Sequence, residues 1–313
     1  MLAFFAKRLL SLIPVIAVVS VVVFLLLRLS PGDPALVIAG DNADAATIER
    51  IRSTLGLNEP LTTQFFIWAG KMLRGDLGIS IFSNIPVVQL IGQRVEPTLS
   101  LAATTLLFAV VIAVPLGTIA GATAGSWLDR TLMAVSVLGF SVPAFVLGYC
   151  LIYVFSIKLG VLPVQGFTSI RAGLLPFLRS IALPTMTLGL AYMVLIARIT
   201  RASVLEMMGE DFIRTARAKG VRERLVVTRH ALRNAAIPIL TVIGIGIALL
   251  IGGVVVIETV FNIPGIGRLV VDAILKRDYP VIQGVILLFS GVYVLINLAI
   301  DIGYAFLDPR VRY

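Results

Sequence analysis

Six long apolar runs decide what this chain can become. They are Leu9 to Leu27, Thr98 to Ala124, Thr131 to Ile157, Ile181 to Ile199, Ala235 to Ile257 and Val281 to Leu307, and almost no charge interrupts them. A helix needs ~20 apolar residues to cross the hydrocarbon of a bilayer. Inside lipid each backbone N–H and C=O must find its partner within the protein, which a helix arranges locally. The runs therefore predict an all-α membrane protein with six transmembrane helices. Overall composition agrees: 58% of residues are hydrophobic, 14% are charged, and mean hydropathy is +1.02. A soluble domain has roughly a quarter of its residues charged.

The first run is bracketed by Lys7-Arg8 and Arg28. It exceeds the ~7–15 residues of a signal-peptide core, and Leu29-Ser-Pro-Gly is a poor cleavage site. An uncleaved anchor with its N-terminus inside is expected. Residues 1–28 then form the N-terminal end and first span, 29–97 an extracytoplasmic helical region, and 98–313 a core of five spans. In the 29–97 region Asp33 lies in turn chemistry, Asp44 can cap a short helix ending near Gly56, and a second helix runs from about Glu59 to Leu73. Its Phe65, Phe66 and Trp68 suit a membrane interface or a packed lid. In the core, Pro115 marks a kink, Ser141-Val-Pro143 loosens the third span, and Gly244, Gly246, Gly252 and Gly253 allow close packing. Both termini and the loop 200–234 fall inside.

A net charge of +9 could suggest nucleic acid, but no recognition motif accompanies it. The basic residues sit mainly at span ends and in one loop, as when Lys and Arg stay on the cytoplasmic side. Cys150 is the only cysteine and reads as a small buried apolar residue. With one histidine, His230, neither a zinc cluster nor a Ser/His/Asp set can be assembled. Gly70-Lys71 is followed by Met72, so no phosphate-cradling loop is present.

The loop 200–234 is the informative exception. Arg198, Arg201, Arg214, Arg217, Lys219, Arg222, Arg224, Arg229 and Arg233 cluster in and beside it. Glu210 and Asp211 open a short run that closes on Arg217, Lys219 and Gly220, the charge order the helix dipole favours. That helix, of roughly nine residues, is too short to stand alone in water. A second, from about Arg222 to Ala236, would gather Leu225, Val226 and Leu232 on one side. Docking of a partner and attraction to anionic lipid both fit this loop.

The stretch Asp211-Phe-Ile-Arg-Thr-Ala-Arg-Ala-Lys-Gly220, followed by Arg229-His-Ala-Leu-Arg-Asn-Ala-Ala-Ile-Pro238, resembles the signature loop of bacterial ABC importer permeases. The resemblance is narrower still to the dipeptide/oligopeptide/nickel branch. It extends through Arg28-Leu-Ser-Pro-Gly-Asp-Pro34, Arg74-Gly-Asp-Leu-Gly-Ile-Ser80, Ser141-Val-Pro-Ala-Phe145, Leu183-Pro-Thr-Met-Thr-Leu-Gly189, Glu258-Thr-Val-Phe-Asn-Ile-Pro-Gly-Ile-Gly267 and Asp301-Ile-Gly-Tyr-Ala-Phe-Leu-Asp-Pro-Arg310. Arg214-Thr215-Ala216 stands where many importers have Glu-Ala-Ala, a replacement common in this branch.

The resemblance implies a type I ABC importer permease fold in the bacterial inner membrane. It implies coupling to ATP-binding subunits through Arg214, Thr215, Ala216, Arg217, Ala218, Lys219 and Gly220, with His230, Arg233 and Asn234. It also implies a second homologous permease, two ATP-binding subunits carrying ATP and Mg, and an extracytoplasmic binding protein. This chain itself would bind no cofactor and no metal, and would hydrolyse nothing. Ser141, Pro143, Glu258, Asn262, Pro264 and Gly265 are candidates for a gate or translocation path. Glu258 could line an outer gate or simply sit at the interface. Peptide is the expected cargo, with nickel complexes or another small solute as the alternative. A passive channel or scaffold, or an intramembrane enzyme, are the readings from other classes. The enzyme would need converging acids or a nucleophile–base pair, and neither is found.

Overall fold

The computed structural model describes residues 13–25, 35–36, 44–54 and 57–307. The flanks of the first expected span, the Pro31–Pro34 turn, Gly56 and the tail from Asp308 lie outside them. Among the described residues there is no strand, only one isolated bridge between Ile79 and Pro86. The helices are α1 (Ile13–Leu25), α2 (Ala45–Thr54), α3 (Leu61–Leu73), α4 (Val87–Gly92), α5 (Val95–Ala122), α6 (Trp127–Ser141) and α7 (Ala144–Leu151). They continue as α8 (Leu174–Met208), α9 (Asp211–Ala218), α10, α11 (Ala236–Val260), α12 (Ile266–Lys276) and α13 (Tyr279–Leu307). Helix α10 combines Glu223–Leu225, the π-helical stretch Val226–Ala231, and Leu232–Asn234. Among the described residues, four spans are long and apolar enough to cross a bilayer: α4 with α5, α8, α11 and α13. The bent pair α6 and α7 makes a fifth if counted as one.

The chain divides into two compact units, residues 1–95 with 269–294 and residues 96–268 with 295–313. In the first, Phe24 of α1 meets Phe65 of α3 edge to face with centroids 5.3 Å apart and lies 5.7 Å from Trp68. Gln64 turns inward and its side-chain amide donates to the Leu57 and Glu59 carbonyls, while Phe66 and Leu73 stay exposed. Between the fifth and sixth apolar runs the chain folds into α12 before α13 begins. After α12, the buried Asp278 accepts from the Ser80 hydroxyl at 2.5 Å and from the Ile81 N–H at 3.1 Å.

In the second unit α8 is the central element, with α6, α7 and α11 packed on it. Its core joins Leu101, Leu183, Leu188, Ile257, Phe261 and Ile263. A further cluster joins Ala109 and Ala113 to Ile196, Ala197 and Val242. The third expected span is broken: α6 ends at Ser141, Val142 is extended (φ −98, ψ 119), and α7 starts after Pro143 at an angle of 103°. Proline disfavours helical backbone in the residue before it, which places the break at Val142. Pro115 and Pro184, by contrast, lie within continuous helices.

Cys150 is exposed on α7 instead of buried. A helix face turned to lipid is as apolar as one turned to a core, so the run alone could not tell the two apart. The glycines also sort unevenly. A side chain on Gly253 would meet Leu188 at 3.1 Å, and one on Gly244 would press on Ile300. A side chain on Gly246 would have only ordinary contact with Tyr192, and one starting at Gly252 would meet nothing within 4 Å of its Cβ. Gly117 and Gly121 of α5 lie directly against the backbone of a neighbouring helix. A Cβ there would lie 2.5 Å from the Ala197 carbonyl and 2.6 Å from the Arg201 carbonyl of α8.

Gly117→Leu should therefore destabilise the protein by about 1–3 kcal/mol through overpacking. Gly252→Ala should leave stability unchanged. Thermal unfolding of the two variants in detergent checks the contrast.

Candidate functional site

The basic loop is a fixed structure. Helix α9 ends in paired C-terminal bonds: the Gly220 N–H donates to the Arg217 carbonyl at 2.9 Å and the Val221 N–H to the Ala216 carbonyl at 3.2 Å. This closure requires a left-handed residue, and Gly220 supplies it with φ +72. Ile213 and Ala216 point inward, packing with Val204 of α8, Val226 and Ala231 of α10, and Ala235 and Ile239. Arg214, Thr215, Arg217, Ala218, Lys219 and Gly220 are exposed. Of the residues assigned to coupling, Ala216 alone in this helix faces inward.

Helix α10 departs from the expected face. Val226 is buried, Leu232 is half-buried, and Leu225 is exposed. The cause is the π-helical stretch, whose i→i+5 bonding puts Val226 and Ala231 on one inward face. Arg222, Arg229 and Arg233 are exposed. His230 is half-buried, and its carbonyl accepts from the Asn234 amide at 2.7 Å. Arg217 bridges the joint between α9 and α10, donating to both carboxylate oxygens of Glu223 at 2.6 and 3.1 Å. Those hydrogen bonds hold the Glu223 carboxyl below its ordinary value and raise the Arg217 guanidinium above its own.

Asp129 and Arg201 form a second paired set at this end of the unit. Arg201 donates through Nε and Nη2 to the two oxygens of Asp129 at 2.7 and 2.8 Å. The Gly125 N–H adds a third bond at 2.9 Å. Sequence reasoning counted Arg201 only as one more loop charge. The available signal was that Asp129 and Arg201 both stand at span ends expected on the same side.

The remaining candidates fall in two places. Glu258 is 0% exposed near the end of α11. Its carboxylate accepts from the Thr98 hydroxyl at 2.6 Å and from the Arg268 N–H at 2.9 Å. Thr98 in turn accepts from the Ile266 N–H at 2.8 Å. A side chain on Gly265 would run into this carboxylate, and one on Gly267 would lie 2.9 Å from Oε2. Asn262 takes left-handed backbone (φ +51), and its side chain accepts from Arg268. Asn262 and Pro264 are exposed while Gly265 is buried. The turn is thus built around Glu258, with the carboxylate directed at Thr98 and glycine backbone. Thr98 and Arg268 could not be found from spacing, since Thr98 is 160 positions away. Ser141 and Pro143 sit at the α6–α7 break, both exposed, and the Ser141 hydroxyl donates to the Val137 carbonyl at 3.0 Å.

Known proteins match this chain along its whole length. The family described as "Binding-protein-dependent transport system inner membrane component" matches residues 113–313, and its N-terminal companion family matches residues 1–102. The chain belongs to this family. It is the permease subunit of an ABC importer and a multi-pass component of the inner membrane; hydrolysis of ATP falls to partner subunits. A peptide ABC transporter permease protein of Sinorhizobium fredii, named as probable, is 54% identical over 307 residues, covering 98% of both chains. The glutathione transport system permease protein GsiC of Escherichia coli K12 is 48% identical over 313 residues, covering 100% of both. Among solved structures, inward-facing forms of the MetNI methionine ABC transporter align with TM-scores of 0.57 and 0.58 at 21% and 22% identity. They cover 70% and 71% of the permease and 97% of each matched chain, a likeness of fold.

Replacing Glu258 by Ala leaves the Thr98 hydroxyl and the Arg268 N–H short of an acceptor in a buried turn. The permease should lose about 1–3 kcal/mol, the cost of an unmade buried hydrogen bond. Glu258→Gln, which keeps one acceptor oxygen, should lose less. Thermal unfolding of both variants ranks them.

Proposed function

We propose that this permease translocates di- or oligopeptides delivered by an extracytoplasmic binding protein, and that one of the transporter's two ATP-binding subunits docks on the exposed face of α9. A second, homologous permease completes the path, because six spans are too few to enclose one. ATP and Mg belong to the docked subunits. In this arrangement the permease has six spans, both termini and the loop 200–234 in the cytoplasm, and residues 29–97 outside. The observation that carries the docking reading is the two-sided construction of α9. Ile213 and Ala216 bind it to the end of α8, while Arg214, Thr215, Arg217, Ala218 and Lys219 are left facing outward. A helix of eight residues gains little from its own backbone bonds, so it is held from below and read from above. Lipid attraction needs the charge but not this fixed joint.

The peptide assignment is supported by the names of the relatives, one a peptide permease and one a permease for glutathione, itself a tripeptide. Nickel complexes or another small solute form the alternative. ATP binding brings the docked subunits together, shifts α9, and moves the helices from one access state to the other, a two-state change driven by differential contacts.

The test uses the complete transporter in vesicles. Arg217→Glu combined with Gly220→Pro should reduce ATP-driven peptide uptake roughly thirtyfold or more, the scale of losing a buried interfacial charge contact. Uptake that survives both substitutions refutes docking through α9. Binding of a di- and tripeptide panel, with nickel complexes as the competing class, to the external binding protein tests the cargo.

A further inference from the structure

The Asp129–Arg201 pair takes no part in the exposed docking face, yet its position is particular. Asp129 is 4% exposed at the start of α6. Both of its oxygens are engaged by Arg201, and Oδ2 also accepts from the Gly125 N–H in the α5–α6 turn. The Ser126 hydroxyl accepts from the Asp129 N–H at 3.3 Å, capping α6 at the same point. The backbone carbonyl of Arg201 is what a side chain on Gly121 of α5 would strike, at 2.6 Å. One turn further along α8, Val204 would be 3.0 Å from that same added Cβ and is also packed with Ile213 and Ala216 of α9. A single turn of α8, residues 201–204, therefore touches α5, α6 and the proposed coupling helix at once.

A buried ion pair is a weak source of stability, because desolvation of both ions consumes most of the attraction. A two-bonded guanidinium–carboxylate fork does something an apolar contact does not: it fixes direction and register between two elements. Apolar helix faces in a membrane can slide or rotate at little cost, since lipid competes equally for them. We propose that Asp129 and Arg201 are positioning residues for coupling, clamping α6 and the α5–α6 turn to the loop end of α8 so that displacement of α9 moves α5, α6 and α8 as one body. The proposal rests on the docking reading above.

The test is made on complete transporters in vesicles, carrying Asp129→Asn or Arg201→Lys, with the external binding protein saturated with a labelled di- and tripeptide mixture. Arg201→Lys keeps the charge pair and loses the fork, so it isolates geometry from folding. ATP hydrolysis, its stimulation by the loaded binding protein, and peptide taken up per ATP hydrolysed are measured together. The variants should retain both ATP-binding subunits and their basal hydrolysis, lose the stimulation, and take up about fivefold less peptide per ATP or lower still, the scale of a typical coupling between sites. Arg201→Lys with unchanged uptake per ATP overturns the proposal. So does loss of the ATP-binding subunits from the purified Arg201→Lys complex, which would make the pair an assembly contact. Failure of docking through α9 is visible separately, as uptake that survives Arg217→Glu with Gly220→Pro.

Discussion

The loop end of the permease core depends on two backbones lying against each other. At Gly117 and Gly121 helix α5 comes so near to α8 that an added Cβ would strike the Ala197 and Arg201 carbonyls and press on Thr200 and Val204. Lipid tails offer apolar groups everything a protein core offers, so burial alone gives two spans no reason to associate. Close approach gives dispersion contacts that lipid cannot reproduce. From that contact the rest is placed: α6 follows α5 through the short Gly125 turn, α8 runs on to Met208, and α9 folds back onto Val204.

The buried carboxylates of the second unit are held by several donors each. Asp129 has three donors on its carboxylate, and Glu258 has the Thr98 hydroxyl and the Arg268 N–H. Each therefore ties together segments remote in sequence. Asp129 joins α6 to α8, and Glu258 joins the end of α11 to the start of α5 and the start of α12. The exposed charges of α9 are of another kind. Arg214, Arg217 and Lys219 stay in water, where Arg214 pairs with Asp211 and Arg217 closes the joint with Glu223.

Span positions were legible in the sequence because apolar length is itself the requirement for crossing a bilayer. Thr98 to Ala124 became Val95–Ala122, and Ala235 to Ile257 became Ala236–Val260. The α9 helix and its closure at Gly220 were legible because dipole and cap are local effects. The sidedness of helices was not. Leu225 faces out and Ala231 faces in because a π-helical stretch changes the period, and no residue of Val226–Ala231 announces that change. The partners of Glu258 were hidden for another reason: Thr98 is a commonplace residue at a span end until the fold brings it within 2.6 Å. Glycines are denser in α11 than at Gly117 and Gly121, yet a Cβ added to Gly252 would meet nothing within 4 Å. Glycine count reports permission for close packing, and only the third dimension reports its use.

The lone cysteine has a consequence of its own. Cys150 stands on the outer surface of α7, and no second thiol exists in the chain to meet it. Any disulfide this subunit enters must be intermolecular. A cross-linked band on a non-reducing gel of native membranes would thus name a neighbour of α7 directly, without a single engineered residue.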